Sequence, residues 1–230
     1  MSKFKILYAE DDETLAFLTK DNLEQNNYEV FHFSDGKQCL ENFNNNTFDI
    51  CIFDIMMPKM NGFELATAVR KQNTHIPIIF LSAKTLKEDR IQGLKLGADD
   101  YLVKPFSIEE LILKIEIFLK RSQKVNTAQI NFYQVGKYNF DTKSYLLTHA
   151  DEKIKLTHRE AELLELFLNN KNLVLKREAI LTSLWGDDDY FMGRSLDVFI
   201  SRLRKILINE QQITIENLHG IGFKFTVSEK

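Results

Sequence analysis

Four short stretches place reactive side chains where an apolar segment ends. Residues 48–53 (FDICIF) run directly into Asp54, and the loop that follows, IMMPKMNG, holds one Pro and one Gly. Residues 4–9 (FKILYA) lead to Glu10, Asp11 and Asp12, residues 76–82 (IPIIFLS) end on Ser82, and residues 101–103 (YLV) are followed by Lys104 and Pro105. A carboxylate at the end of a buried strand is costly unless a cation or hydrogen-bond donors compensate it. In an open parallel sheet the carboxyl ends of the strands form the ligand crevice, beside the point where strand order reverses. With the first and third strands as neighbours, two or three carboxylates converge there. Like charges so close call for a proton or a cation among them. A few carboxylates with room for water suit Mg2+, a hard cation with oxygen ligands. Lys104, a compact positive charge, and Ser82, a hydroxyl donor, are not needed by such a metal. Both suit a phosphoryl group carried by Asp54, so the set reads as a carboxylate nucleophile, metal ligands and two groups for the phosphoryl oxygens.

Each of these residues also has an ordinary structural reading. An acidic run such as EDDE is commonly a solvated turn or a helix start, a Ser after a strand is commonly a cap, and Lys-Pro is commonly a surface turn. Their joint placement at successive strand ends is what favours chemistry.

The elements that must position them follow from the pattern of the chain. At 230 residues, with 27% charged and 44% hydrophobic residues, one large or two ordinary domains with a real core are expected. No apolar run reaches the roughly 18–20 residues that span a bilayer. The N-terminal MSKFKILYAEDDE reads as a first strand, because acids follow its apolar stretch at once. Cys39 and Cys51 lack metal-ligand spacing and read as buried, reduced thiols in a cytoplasmic protein. The net charge of −3 divides into −4 for residues 1–122 and +1 for 123–230, so any nucleic-acid surface must be a local patch.

Residues 1–121 alternate strand-like segments with amphipathic helical ones, which argues for a parallel sheet covered by helices on both faces. Ser107 and Glu110 have capping-box spacing before LILKIEIFLKR. Residues 122–127 read as a linker. Residues 128–230 begin with three strand-like pieces (VGKYNF, SYLLTH, KIKLT), and Thr157 and Glu160 then form a second capping box before AELLELFLNN. Helices over KREAILTSLW and GRSLDVFISRLRKIL follow, and ITIENLHGIGFKFTV reads as a hairpin with glycines at its tip. Strands, three helices and a hairpin give the order of an α+β winged helix-turn-helix domain.

The motifs YAEDDE, FDIMMPKMNG, FLSA and GADDYLVKPFS closely resemble the receiver domain of bacterial two-component response regulators, over all of 1–121. That resemblance implies a flavodoxin-like α/β fold with five parallel strands in the order 2-1-3-4-5. It implies that Asp54 is the phosphoacceptor, loaded by a sensor histidine kinase. Mg2+ would be bound by Asp11, Asp54 and the backbone carbonyl of Met56, with Glu10 acting through water. Ser82 and Lys104 would contact the phosphoryl group, and Tyr101 resembles the aromatic switch that turns inward when Ser82 moves. Such a receiver catalyses only its own phosphorylation and dephosphorylation. An aspartyl-phosphate phosphatase would resemble a D-x-D pattern, and the second of those positions is Met56 here.

Residues 132–227 are similar to the winged-helix effector domain of the OmpR/PhoB family, through LT-REAELL, R-LDV-ISRLRKIL and HGIGFKF. At about 100° per residue, Leu196, Phe199, Ile200, Leu203, Ile206 and Leu207 fall on one side of residues 193–207. Arg194, Ser201, Lys205 and Val198 fall opposite, with Arg202 and Arg204 on the shoulders. By the resemblance this is the recognition helix. Val198, Ser201, Arg202 and Lys205 are then expected at base edges in double-stranded DNA, and Arg194 and Arg204 at phosphates. The family usually carries Arg before the wing's G-x-G, and this chain carries His219, a weaker partner for phosphate unless Lys224 compensates. The loop with Asp187, Asp188 and Asp189 is expected, by the same resemblance, to meet RNA polymerase. Trp185 is expected in the core. Family members form homodimers through the fourth helix, fifth strand and fifth helix when phosphorylated, which maps here onto Arg90, Asp99, Asp100, Glu110, Lys114 and Arg121. A regulator that binds DNA without phosphorylation remains the alternative, and the intact pocket set argues against it.

Overall fold

The computed structural model describes residues 3–83, 93–94, 96–123, 132–150, 152–186 and 190–228. The chain divides into two compact units, Met1–Lys124 and Val125–Lys230.

In the first unit five strands pair in parallel, β1 (Lys5–Ala9), β2 (Glu29–Phe33), β3 (Ile50–Asp54), β4 (Ile78–Ser82) and β5 (Asp100–Val103). Their order is β2-β1-β3-β4-β5, as expected. Helices α1 (Glu13–Gln25), α2 (Gly36–Asn45), α3 (Gly62–Gln72) and α4 (Ile108–Gln123) accompany the sheet. Alternate side chains of each central strand enter different cores, which is why the strands read as unbroken apolar runs. Leu7, Cys51, Phe53, Ile78 and Phe80 pack with Cys39, Phe43, Leu65 and Val69 of α2 and α3. Ile6, Tyr8, Ile52, Ile79 and Leu81 pack with Ala16 and Leu23 of α1 and with Leu111, Ile115 and Phe118 of α4. Each Leu, Ile, Val or Phe side chain among them contributes roughly 1.5–3 kcal/mol on burial. The cysteines are free and buried, as expected.

Capping residues fix where the helices start, and therefore where the strand-end loops stop. Asp12 caps α1 by accepting the Thr14 and Leu15 N–H groups, each at 2.9 Å. One acid of EDDE thus has the ordinary role. Asn61 and Glu64 close a reciprocal capping box at the start of α3. Ser107 Oγ accepts the Glu110 N–H at 3.1 Å in front of α4.

The second unit opens with four antiparallel strands rather than three, β6 (Phe132–Val135), β7 (Tyr138–Asp141), β8 (Leu146–His149) and β9 (Glu152–Lys155). The piece VGKYNF spans a turn, so it contributes the end of one strand and the start of the next. Helices α5 (His158–Asn169), α6 (Arg177–Trp185) and α7 (Tyr190–Ile206) follow, and β11 (Ile213–Leu218) and β12 (Gly222–Val227) form the closing hairpin. A three-residue strand, β10 (Val174–Lys176), lies between α5 and α6 and pairs with β12. Three residues carry no periodic signal, so the sequence offers no sign of it. Helix α7 starts three residues before the expected position. Gly193 lies inside the helix rather than at its start, since a glycine inside a helix costs only about 1 kcal/mol. Trp185 is buried against Phe199 and beneath the Arg159 guanidinium, as a core residue. The expected linker, 122–127, falls largely outside the described residues, which resume at 132 after α4 ends at Gln123.

Candidate functional site

The carboxyl edge of the parallel sheet gathers the residues that the sequence singled out. Glu10 follows β1 and is tied to β2 by its N–H, which donates to the Phe33 carbonyl at 3.1 Å. Asp54 is the last residue of β3, and both side chains are buried. Ser82, fully buried, ends β4, and its carbonyl accepts the Lys104 N–H at 2.8 Å. That bond sets the Lys104 side chain over the edge. Its ammonium lies 2.7 Å from Asp54 Oδ2 and from Glu10 Oε1, and 2.6 Å from Glu10 Oε2. The Met56 N–H donates to Asp54 Oδ1 at 3.2 Å. Glu10, Asp11 and Asp54 each offer a carboxylate oxygen within 4.8 Å of the others, with Asp11 exposed to solvent. Tyr101, on the strand beside Ser82, is buried in the core shared with α2 and α3.

One ammonium does not balance three carboxylates. Burial is the main force that pushes the Glu10 carboxyl up to about 7, against the hydrogen bonds from Lys104, and the Asp54 charge adds to the rise. For Lys104 burial acts downward, but the bonds to Asp54 and Glu10 outweigh it and its pKa is raised. An excess of close carboxylate oxygens, two buried and one exposed to solvent, fits a hard divalent cation.

The raised Glu10 carboxyl has a consequence for stability. Folded, the group keeps its proton up to about pH 7; an ordinary glutamate releases it near 4.5. The folded chain therefore binds more protons across that window, and the contribution falls as pH rises through it. Metal-free thermal unfolding measured from pH 5 to 8 is expected to show this decline in the wild type and to lose it in Glu10→Gln. Parallel profiles for the two proteins would refute the assignment.

Three residues expected on an exposed dimer surface are occupied within the chain instead. Asp99 is buried, and its Oδ2 accepts from Arg70 Nη2 at 2.7 Å and from the Ile78 N–H at 2.9 Å. Asp100 pairs with Lys114 at 3.0 Å, both largely buried. Adjacent carboxylates at the start of β5 are each met by a cation from a different helix, the arrangement that buried charges require. The sequence gives no distance between Arg70 and Asp99, which are 29 positions apart. Glu110 is exposed on α4. Arg90 and the side chain of Arg121 lie outside the described residues.

In the second unit α7 packs against α5 and α6, and its buried arc is wider than one apolar stripe. Val198, expected to face DNA, is buried for that reason. Arg202 is held 2.7 Å from Glu160, the capping-box residue of α5. The exposed face comprises Asp197, Ser201, Arg204 and Lys205. Arg204 donates to the Ile215 carbonyl on β11 through Nε at 3.0 Å and Nη2 at 2.5 Å. Asp197 is paired with Arg177 of α6 at 2.7 Å, a partner the sequence did not suggest. His219 is exposed in the β11–β12 turn, and Lys224 is half-buried on β12. The side chain of Arg194 and all of Asp187, Asp188 and Asp189 lie outside the described residues.

Comparison with known proteins agrees with both units. Residues 6–116 match the response regulator receiver domain, and residues 151–225 match the C-terminal domain of transcriptional regulatory proteins. The chain belongs to the response regulators that join a receiver to an OmpR-type DNA-binding domain. It is 46% identical over 227 residues to the transcriptional regulatory protein RprY of Bacteroides fragilis, covering 99% of this chain and 96% of that one. It is 38% identical over 220 residues to the response regulator ArlR of Staphylococcus saprophyticus, covering 95% and 97%. Among solved structures, the OmpR/PhoB homolog DrrB of Thermotoga maritima is 27% identical with a TM-score of 0.51, over 97% of this chain and 99% of that one. A RitR mutant at 23% identity shares the fold with a TM-score of 0.77, over 99% and 100%. A receiver implies a histidine kinase partner, and the C-terminal domain implies DNA. Among the described residues no helix is long and apolar enough to cross a membrane.

Proposed function

We propose that Asp54 accepts a phosphoryl group from a histidine on a sensor kinase, and that this modification controls DNA binding by the second unit. The observation that carries the reading is the Lys104 ammonium shared between buried Asp54 and Glu10, beside the third carboxylate, Asp11. An Asp54 oxygen attacks phosphorus in line. The O–P bond forms as the N–P bond breaks, and the kinase imidazole leaves with the electron pair. Asp11, Asp54 and the Met56 carbonyl would hold Mg2+ directly, with Glu10 through water. When bound, the ion supplies positive charge to the phosphoryl oxygens and offsets their repulsion from the carboxylates. Lys104 moves from pairing Asp54 to pairing a phosphoryl oxygen, and the Ser82 hydroxyl donates to another. The receiver acts on itself, without turnover of a free substrate.

In the second unit Ser201 and Lys205 are the side chains for base edges, with Arg204, His219 and Lys224 toward phosphates. A phosphorylated homodimer would present two α7 helices to two half-sites, raising apparent affinity through effective concentration. Of the six residues expected at such an interface, Glu110 is the one exposed among the described side chains. The acidic loop at 187–189 is assigned to RNA polymerase, and the work is placed in the cytoplasm, with the DNA.

The test is sedimentation of the protein with Mg2+ and a small phosphodonor, with mass spectrometry and DNA titration alongside. Uptake of one phosphoryl group, dimerisation, and tighter binding to paired than to single half-sites are expected, all abolished by a chelator. A protein that is modified but stays monomeric, with unchanged DNA affinity, would overturn the switch.

A further inference from the structure

The loop that leaves Asp54 is fastened at both ends. Its start is fixed by the Ile55 N–H, which donates to the Leu81 carbonyl of β4 at 3.1 Å. Its end is fixed by the Gly62 N–H, which returns to the Ile55 carbonyl at 3.1 Å. Between them the chain turns through Lys59, whose φ is +65°. At that turn the Lys59 ammonium reaches 2.6 Å from Asp35 Oδ2, at the start of α2. Asp35 is buried and also caps α2, accepting the Lys37 and Gln38 N–H groups at 3.0 and 2.9 Å. The first residue of α2, Gly36, lies so close to the loop that a Cβ there would meet the Met60 carbonyl oxygen at 2.3 Å. The loop backbone is therefore seated on α2, and the Lys59–Asp35 contact is its one ion pair among the described residues.

We propose that Lys59 is a positioning residue: bound to Asp35, it fixes the loop so that the backbone beside Asp54 is set for a divalent cation. This rests on the reading of the Glu10, Asp11 and Asp54 pocket as a Mg2+ site. The pair does little for the fold. Lys59 is more than half exposed, and exposed pairs contribute little to stability. Without Lys59, Asp35 still has its two cap donors, so no buried carboxylate is stranded. What the pair does hold is the path of residues 55–61, and with it the Met56 carbonyl.

The sign of the effect separates positioning from plain charge. Removing a cation near an acidic pocket tightens Mg2+ binding if only Coulomb forces act. Positioning requires the opposite. Partners that orient metal ligands typically cost 10–100-fold when removed, and a solvent-facing lysine one step further out is expected to cost about three- to tenfold.

The experiment is isothermal titration of the full chain with Mg2+ alone, for wild type, Lys59→Ala and Lys59→Arg, with metal-free unfolding of each. Lys59→Ala is expected to bind about three- to tenfold more weakly with a nearly unchanged midpoint, and Lys59→Arg to recover most of the loss. Unchanged or tighter binding by Lys59→Ala, while the wild type binds normally, overturns the clamp and leaves the pocket standing. A loss that tracks a lowered midpoint, unrelieved by Arg, also overturns it in favour of a purely structural pair. A wild type that takes up no Mg2+ overturns the pocket reading and the clamp together.

Discussion

With Asn in place of Asp54, the protein takes up no phosphoryl group from a small donor, and its metal-free receiver unit unfolds at a higher temperature than the wild type. The first effect is complete because the amide lacks the carboxylate oxygen that attacks phosphorus, and Asp54 is the carboxylate at the end of β3. The second follows from the charge balance. Two carboxylates, Glu10 and Asp54, share one ammonium with Asp11 close by, and the Asp54 charge helps to raise the Glu10 carboxyl. The amide oxygen keeps the bond from Lys104 at the Oδ2 position and gives up the one from the Met56 N–H at Oδ1, a backbone donor near solvent, while the repulsion is gone. The gain is about 1 kcal/mol, or roughly 4 °C for a unit of this size. Saturating Mg2+ reverses the order, since a ligand at about 100 times its Kd stabilises the binding-competent wild type by about 2.7 kcal/mol. Mass spectrometry and calorimetry with and without Mg2+ read all three outcomes. An Asn variant less stable than wild type in the absence of metal would show that Lys104, rather than repulsion, dominates the pocket.

Alanine at Gly222 disables the second unit and leaves the first intact. A Cβ at that position would lie 2.0 Å from the Leu175 carbonyl oxygen and 2.9 Å from the Arg177 nitrogen. Both atoms are backbone, so neither can turn aside. Separating β12 from β10 breaks the bond from the Arg177 N–H to the Ile221 carbonyl, at 3.0 Å, and displaces the start of α6. Arg177 also holds Asp197 on the exposed face of α7, so the damage reaches the helix proposed to read DNA. Overpacking of this kind costs up to about 3 kcal/mol where neighbours can shift, and the rigid neighbours here put the variant at that end. DNA affinity is expected to fall at least about tenfold, because displacing α6 and the Asp197 side of α7 need weaken binding itself by only about 1.4 kcal/mol. Phosphoryl uptake stays at the wild-type level. Gly220→Ala is the control: nothing lies within 4 Å of its Cβ position, and only its φ of +73° opposes the change. That costs about 1–2 kcal/mol. Equal effects at the two glycines would sink the steric argument.

Much of this protein was legible as sequence because its chemistry lies at places that sequence marks. Each central strand is buried on both faces, so each reads as an apolar run with a visible end. Glu10, Asp54, Ser82 and Lys104 sit at those ends, and a parallel sheet brings its strand ends to one edge. Thr157 and Glu160 announce a helix start by spacing alone, and the structure contains that box. The residues misread were those whose environment depends on a neighbour remote in the chain. Asp99, Asp100 and Lys114 looked like surface charges because polarity alone argues for exposure. They are buried because Arg70 and the Asp100–Lys114 pairing neutralise them across elements.

The second unit shows the same division. The period of residues 193–207 correctly placed Leu196, Phe199 and Leu203 in the core and Ser201 and Lys205 outside. It could not place Val198 or Arg202, because a helical wheel has one apolar direction and α7 has two neighbours. The sequence by itself therefore determined the order of the receiver strands, the strand-end pocket and the family, but neither the fourth strand of β6–β9 nor β10. Tertiary structure decided which charges are spent inside the chain: Arg202 on Glu160, Arg177 on Asp197, Lys59 on Asp35. The physical reason is that apolar burial and local capping act through spacing along the chain, whereas an ion pair is fixed by a distance in space that spacing does not encode.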